Sequence, residues 1–559
     1  MKNPIIFLCL LFSISSFSVS AQLTRTAPTT ASEREAPGVT LSEIATFRNN
    51  EVVPNTILPY GNDFFLHTYV EQNAGAGLLG SGQGLDDLWS LTLYRYNNKL
   101  RQTAEFQVAW PDERRDHLAL SSLGDRLLWT FATETGKKGT YQIEAEVLDE
   151  KGKLIENYPL LKIDKREYAY LRTLEEYSND RHFYARVYAE ESVQRSLSKR
   201  DDQAATLTIA VFDNVGGVVS MERKRLRCDR DQLEVQSVAV DNNGRAYVLA
   251  KIYANSQRRE TGGGSDSKVY LYTLDPGSTE LERIEMKLGG QYIEGVSMVP
   301  GRDGIPAIAG VYSDRRDGRI AGYFSTANPR KGEILKPKPF PQELLESLGK
   351  RSTNKRRGNL VLEGDFEFRD AIRLTDGRLT ILLESFDVRA NNNGGVGGFG
   401  GVGVGVGLGR GGVGLDNQVT YTFGQGLMLT FDQEGEISEA TVVPKFQSTE
   451  NPDAPFLSLK LVEYQRRPAA IYNDNPKNFT RELSKNPRSL ALSRALAIVA
   501  YSDNNGRLQR DPIFGRLDAD KLVLVPASAT RLANDDVVFM ALRYKSFGKN
   551  QFRFGRLRE

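Results

Sequence analysis

One phrase recurs eight times along these 559 residues, an apolar strand that ends on an aromatic side chain. It reads FFLHTY at Phe64 to Tyr69, RLLWTF at Arg126 to Phe131, FYARVY at Phe183 to Tyr188 and VLAKIY at Val248 to Tyr253. It returns as AIAGVY at Ala307 to Tyr312, ILLESF at Ile381 to Phe386, PAAIY at Pro468 to Tyr472 and FMALRY at Phe539 to Tyr544. The terminal aromatics are separated by 62, 57, 65, 59, 74, 86 and 72 positions. A unit of that size cannot bury its own apolar face, so repetition at this period implies stacked or ring-closed modules.

Each unit reads strand, short turn, strand, long loop, strand, short turn, strand. The fourth is clearest: Val235 to Val240, the turn Asp241-Asn242-Asn243-Gly244, the aromatic-ended strand, a loop from Ala254 to Ser267, then Lys268 to Leu274, the turn Asp275-Pro276-Gly277, and Glu280 to Leu288. Asp, Asn and Gly suit such turns because they tolerate or freely adopt left-handed backbone. Unit seven departs, placing Arg466-Arg467-Pro468 where the first turn belongs. Four antiparallel strands repeated eight times resemble the β-propeller, and the resemblance covers residues 40 to 559 at the level of fold, with no family signature. The expected class is therefore all-β, an eight-bladed β-propeller, or seven-bladed if unit seven is irregular. The last unit ends at Gln551 to Leu557 without a fourth strand, so a strand within 41–53 is expected to complete it and close the ring by removing a free edge.

Four segments lie outside the repeat. Residues 1–21 carry one Lys, an apolar run from Ile5 to Phe12 and small residues Ser20 and Ala21, the order of a secretory signal peptide. Residues 22–38 read as a polar linker, leaving a single propeller domain at 39–559. Residues 391–414 are glycine-rich low complexity, expected to be a disordered loop because glycine has no side chain to bury and the most backbone entropy to lose. Residues 330–358 form a basic connector between units five and six, with nine basic against three acidic residues in a chain of formal charge +2, and a short helix expected at Pro341 to Leu348.

Chemistry-bearing motifs are sparse. Gly75 to Gly80 and Gly395 to Gly400 match a dinucleotide fingerprint, but neither opens a helix that could face a pyrophosphate. His67, His117 and His182 fall in separate units and make no pair at helical or hairpin spacing, so no metal site is expected. Cys228 is the one thiol left after signal removal, and no nucleophile elbow is present. The reading is an exported protein, periplasmic or extracellular, monomeric, without cofactor and more consistent with binding than catalysis. Its partner is a protein or anionic polymer held on the end that carries the long loops and connectors. Asp314, Arg315, Arg316 and Asp317 on a short loop, with Lys350, Arg351, Lys355, Arg356 and Arg357 on the connector, are the candidate binding residues. The rival is an exported glycan-active hydrolase or lyase whose acidic residues gather at the channel mouth, since spacing cannot reveal carboxylates brought together from different units.

Overall fold

A computed structural model describes residues 39–46, 51–52, 56–71, 88–108, 115–135, 139–164, 168, 171–191, 204–254, 267–299, 306–314, 320–326, 336–347, 353–356, 359–362, 366–390, 419–433, 435–449, 456–479, 487–503, 506–514, 522–543 and 551–558. Eight antiparallel sheets form a ring, an eight-bladed β-propeller. Blade four is built from Leu233–Val240, Ala246–Tyr253, Ser267–Leu274 and Leu281–Met286, hydrogen-bonded in that order, and the other blades follow the same path. The recurring aromatic-ended phrase is the second strand of each blade. First strands meet first strands around the ring, so they surround the central channel.

The alternation of side chains explains why the strands are apolar on both faces. In blade three, Leu207, Ile209 and Val211 enter the core shared with blade four, while Ala210 and Phe212 enter the core shared with blade two. Each joint of the ring holds one such cluster, including the joint between the last blade and the first. There Phe64 and Leu66 of blade one pack with Val538, Met540 and Phe554 of blade eight. A buried Leu, Ile or Phe contributes roughly 1.5–3 kcal/mol over its exposed state, so the joints dominate the stability of the ring.

Beside the last strand, Gln551–Leu557, lies Val39–Leu41, antiparallel with Val39 opposite Leu557, and Ala45–Thr46 pairs further along. Ser42 ties in between them, its amide donating to the Phe554 carbonyl at 2.7 Å and its hydroxyl accepting the Phe554 amide at 2.9 Å. Glu51–Val52 pairs instead with blade one.

The short turns share one construction. In most, an Asp or Asn at the first position accepts two backbone amides through its side chain, as Asp241 does from Asn243 and Arg245 at 2.9 and 3.0 Å, whereas the turn ending at Gly377 opens on Leu374. The fourth position is left-handed, at Gly152, Gly216, Gly244, Gly377, Gly435 and Gly506. Unit seven is a regular blade whose turn is Gln465-Arg466, one residue earlier than the sequence suggested, with both residues at positive φ, 52° and 59°.

A second device stitches the joints. First-strand amides are accepted by side chains of a neighbouring blade: Val235 by Glu191 at 2.9 Å, Met298 by Ser237 at 3.1 Å, Leu461 by Asp370 at 3.0 Å and Leu524 by Asn473 at 2.9 Å. Ser122 donates likewise to the Tyr177 hydroxyl at 3.0 Å. A buried amide left unpaired costs about 1–3 kcal/mol, so these polar contacts complete the hydrogen bonding where a blade has no further strand to offer.

Candidate functional site

The basic connector is built into the scaffold rather than slung across it. The helix Gln342–Ser347 buries Leu344 and Leu345, with Phe340 before it and Leu362 after it, in the core between blades five and six. Residues Thr353–Arg356 and Asn359–Leu362 then pair as a two-stranded hairpin. The Leu362 amide donates to the Ile320 carbonyl at 3.3 Å, and the Phe340 amide to the Ala321 carbonyl at 3.5 Å. Ile320 and Ala321 close the loop that starts at Asp314. The described ends of the connector, Phe340 and Leu362, are thus tied to Ile320 and Ala321 of blade five.

Of the candidate residues themselves, Asp314 is exposed at the end of the second strand of blade five. Lys355 and Arg356 lie on the hairpin strand. Arg315, Arg316, Asp317, Lys350, Arg351 and Arg357 fall outside the described residues, as do the signal at 1–21, the linker at 22–38 and the glycine-rich segment at 391–414. Lys338 is not available to a partner, because its ammonium is 2.5 Å from the Glu436 carboxylate of blade six.

The channel holds a second polar group that the sequence reading missed. Lys460 of blade seven is 2.9 Å from Asp370 of blade six. Burial disfavours the Lys460 charge, but the Asp370 carboxylate outweighs it and holds the ammonium above its ordinary range. Facing this pair is Glu176 of blade three, four blades round the ring from Lys460. Burial lifts its carboxyl to about 7, with Glu175 and Asp370 adding to the rise and Lys460 opposing it. Its neighbour Glu175 is held differently, accepting Arg186 at 2.8 Å, Ser121 at 3.0 Å and the Tyr184 hydroxyl.

Toward the turn end, Arg181 of blade three donates to the main-chain carbonyl of Arg531 in blade eight. Arg531 is 3.4 Å from Glu463 of blade seven, which accepts the Thr375 amide and hydroxyl of blade six. A chain of polar contacts therefore crosses the channel at that end. No residue spacing signals it, because its members come from four blades.

Two further clusters are buried. Glu384 takes Lys445 at 2.5 Å, Arg369 at 3.0 Å and Ser458 at 2.6 Å, beneath the long ribbon Leu379–Ala390 and Val419–Phe431. Burial lowers the Lys445 pKa, and raises that of nearby Asp474 to about 6. Its solvent-free setting marks this cluster as the footing of the ribbon. The other is a histidine pair. The sequence placed His67 and His117 in separate units, and the fold brings their rings to 5.4 Å between centroids. Among the described residues, no group of three or more His, Cys, Asp or Glu is placed to hold a metal ion. Burial pushes the Cys228 thiol up to about 12, away from the thiolate a nucleophile needs.

No family model and no curated protein matches the sequence. Solved structures of similar shape include the propeller domain of the Trilobed protease from Pyrococcus furiosus, at 10% identity over 85% of this chain and 98% of that one, TM-score 0.34. A puromycin-hydrolyzing peptidase of Mycobacterium tuberculosis gives 12% identity over 89% of this chain and 59% of that one, TM-score 0.36. The NanB sialidase of Streptococcus pneumoniae gives 9% identity over 92% and 94%, TM-score 0.34. Likeness at this level carries no argument about activity, and the fold stands on the sheet topology. Among the described residues, no helix is long and apolar enough to cross a membrane.

Proposed function

We propose that the protein is an exported binding module that holds an anionic partner, an acidic protein face or an anionic polymer, on the shoulder of blade five. The observation that carries this reading is the tie from Ile320 and Ala321 of blade five to the two ends of the basic connector, the Phe340 and Leu362 amides. Binding groups fixed to a rigid core lose little entropy on association, and a local excess of positive charge raises the encounter rate with anions. Lys355 and Arg356 sit on the hairpin, Lys350, Arg351 and Arg357 flank it in sequence, and Arg315 and Arg316 follow Asp314. Export follows from the leader at 1–21, and the mass of the mature chain checks it: cleavage after Ala21 is expected.

The test of binding is recovery of partners from envelope extract at low and high salt. Changing Lys350, Arg351, Lys355, Arg356 and Arg357 to Ser is expected to abolish the salt-sensitive fraction; unchanged recovery with unchanged salt sensitivity refutes the shoulder.

One observation favours a second reading, a glycan-active hydrolase or lyase. Burial lifts the Glu176 carboxyl to about 7, with Glu175 and Asp370 adding to the rise, and a carboxyl poised near neutral pH is the equipment of general acid–base chemistry. Turnover of any member of a polysaccharide panel, lost in Glu176→Gln, would move the protein to this class.

A further inference from the structure

Alternation along the second strand of blade one sends Phe64 and Leu66 toward blade eight and Phe65, His67 and Tyr69 toward blade two. Blade two answers with Leu127, Trp129 and Phe131, and with His117 from its first strand. The joint between blades one and two is therefore an apolar and aromatic core in which His67 is buried, with His117 half-buried at its edge. Trp129 Nε1 donates to His117 Nδ1 at 3.0 Å, which leaves the hydrogen of neutral His117 on Nε2. His67 is 2% exposed, and neither of its ring nitrogens has a hydrogen-bond partner. Tyr69 packs on His117 from the other side, 5.3 Å between centroids.

The surroundings offer no relief to a positive charge. Arg115 lies 4.0 Å over the Phe131 ring, and Arg186 raises the potential at His117. The nearby carboxylates are committed: Glu146 to Arg115 at 2.6 Å, Asp116 to the Tyr168 hydroxyl, and Glu175 to Arg186 at 2.8 Å. Tyr184 and Tyr188, packed beside Arg186, bring phenols that stay neutral because burial raises both pKa values. A proton on either imidazole would place a cation against the second ring, with Glu146, Asp116 and Glu175 already engaged elsewhere.

We propose that the joint between blades one and two is an acid-sensitive seam, at which the two imidazoles take up protons together and the blades part while the other joints stay packed. Burial holds His67 near 4, and burial with His67 and Arg186 holds His117 well below its ordinary value. The direction follows. A base whose folded pKa is depressed binds fewer protons folded than unfolded, so the seam is intact above the ordinary histidine value of about 6.5 and weakens as pH falls toward about 4. The third histidine of the chain, His182, is exposed on a turn of blade three, beside Asp180 at 3.0 Å. Opening would uncover Tyr69, Trp129 and Phe131 in acid and cover them again at neutral pH.

Trp129 is its own reporter, since the chain has three tryptophans. In the full mature chain carrying Trp89→Phe and Trp110→Phe, Trp129 emission is followed through an acid titration, with hydrogen exchange of the blade-five strands measured alongside. The expected result is a reversible red shift below the ordinary histidine pKa, steeper than a single-proton curve, with blade-five protection unchanged. His67→Phe, which keeps an aromatic ring without the proton, should move the midpoint to lower pH and reduce the slope to one proton. Should His67→Phe fail to fold, His67→Gln gives the same readout with a neutral polar side chain. No red shift before global unfolding, simultaneous loss of blade-five protection, or a titration unchanged in the His67 variant overturns the proposal.

Discussion

Removing the side chain of Asn473 should cost more than any single apolar truncation at the joint of blades seven and eight. Asn473 is fully buried at the end of the second strand of blade seven. Its carboxamide nitrogen donates to the carbonyls of Leu524 and Phe456 at 2.8 and 2.9 Å, and its oxygen accepts the Leu524 amide at 2.9 Å. One side chain thus satisfies both main-chain groups of a first-strand residue in the next blade, as a neighbouring strand would. In Asn473→Leu, a swap of similar volume, three buried backbone groups lose their partner. At about 1–3 kcal/mol each, with partial relaxation, the loss is about 3–6 kcal/mol. In a domain of this size a kcal/mol moves the midpoint by about 1 °C, so the melt should fall by roughly 3–6 °C. The exchange of the Leu524 amide should accelerate selectively. Asn473→Asp retains the acceptor but turns a carboxylate toward two carbonyls, and it should recover part of its loss as the pH falls and the acid protonates. If Asn473→Leu melts within about 1 °C of the parent, water or backbone movement replaces these bonds and the stitching argument fails.

Four other outcomes follow from the same geometry. Replacing Gln465-Arg466 by Asn-Gly should stabilise the protein by about 1–2 kcal/mol in denaturant unfolding, since each non-glycine residue at positive φ carries roughly 1 kcal/mol of strain; a loss would mean that one of the native side chains makes a contact worth keeping. We propose that the pairing of Val39–Leu41 with the last strand closes the ring, so a chain starting after Thr46 should melt at clearly lower temperature, and an equal melt sinks that role. Because the folded pKa of Glu176 is raised, its contribution is complete below the ordinary carboxyl range and is lost as pH rises through about 7; Glu176→Gln should therefore gain in melting temperature at pH 8 relative to pH 5, and a parallel shift at both would show that the carboxyl does not titrate as described. Exchanging 391–414 for a short Gly-Ser linker should leave soluble expression and melt unchanged, because loop length enters stability only logarithmically.

The fold was legible because it is written in local terms: alternation, turn residues and a repeated phrase survive in one dimension. Blade seven illustrates the limit of that code, since Gln465-Arg466 carries the turn without Gly, Asn or Asp, and its backbone conformation is imposed by the strands on either side. Of the proposed shoulder the sequence offered two charged stretches 33 positions apart between Asp317 and Lys350. The bond from the Leu362 amide to the Ile320 carbonyl, which ties the connector to blade five, is a contact that no spacing announces. The channel groups and the histidine pair could not be read at all. Glu176, Asp370 and Lys460 lie in three blades, and His117 faces His67 across a strand whose alternation is broken by a bulge between His117 and Ala119. A strict period of 2 counted back from Leu120 would have sent His117 to the opposite face.

The polar stitches between blades also bear on how such a ring can change over evolutionary time. In four joints the acceptor belongs to the earlier blade and the amide to the later one: Glu191 to Val235, Ser237 to Met298, Asp370 to Leu461 and Asn473 to Leu524. These four contacts share a sense of rotation, while the Ser122 amide on Tyr177 and the Thr375 amide on Glu463 run the other way. A blade duplicated into any of these joints would arrive with its own acceptor facing forward but would have to meet the acceptor of the blade behind it with a matching amide at the right depth. Glutamate, serine, aspartate and asparagine differ in reach by up to two bonds, so each joint is keyed to its own pair of neighbours. Blades of such a ring are not interchangeable parts, and divergence at these positions fixes their number and order even where the apolar phrase remains the same.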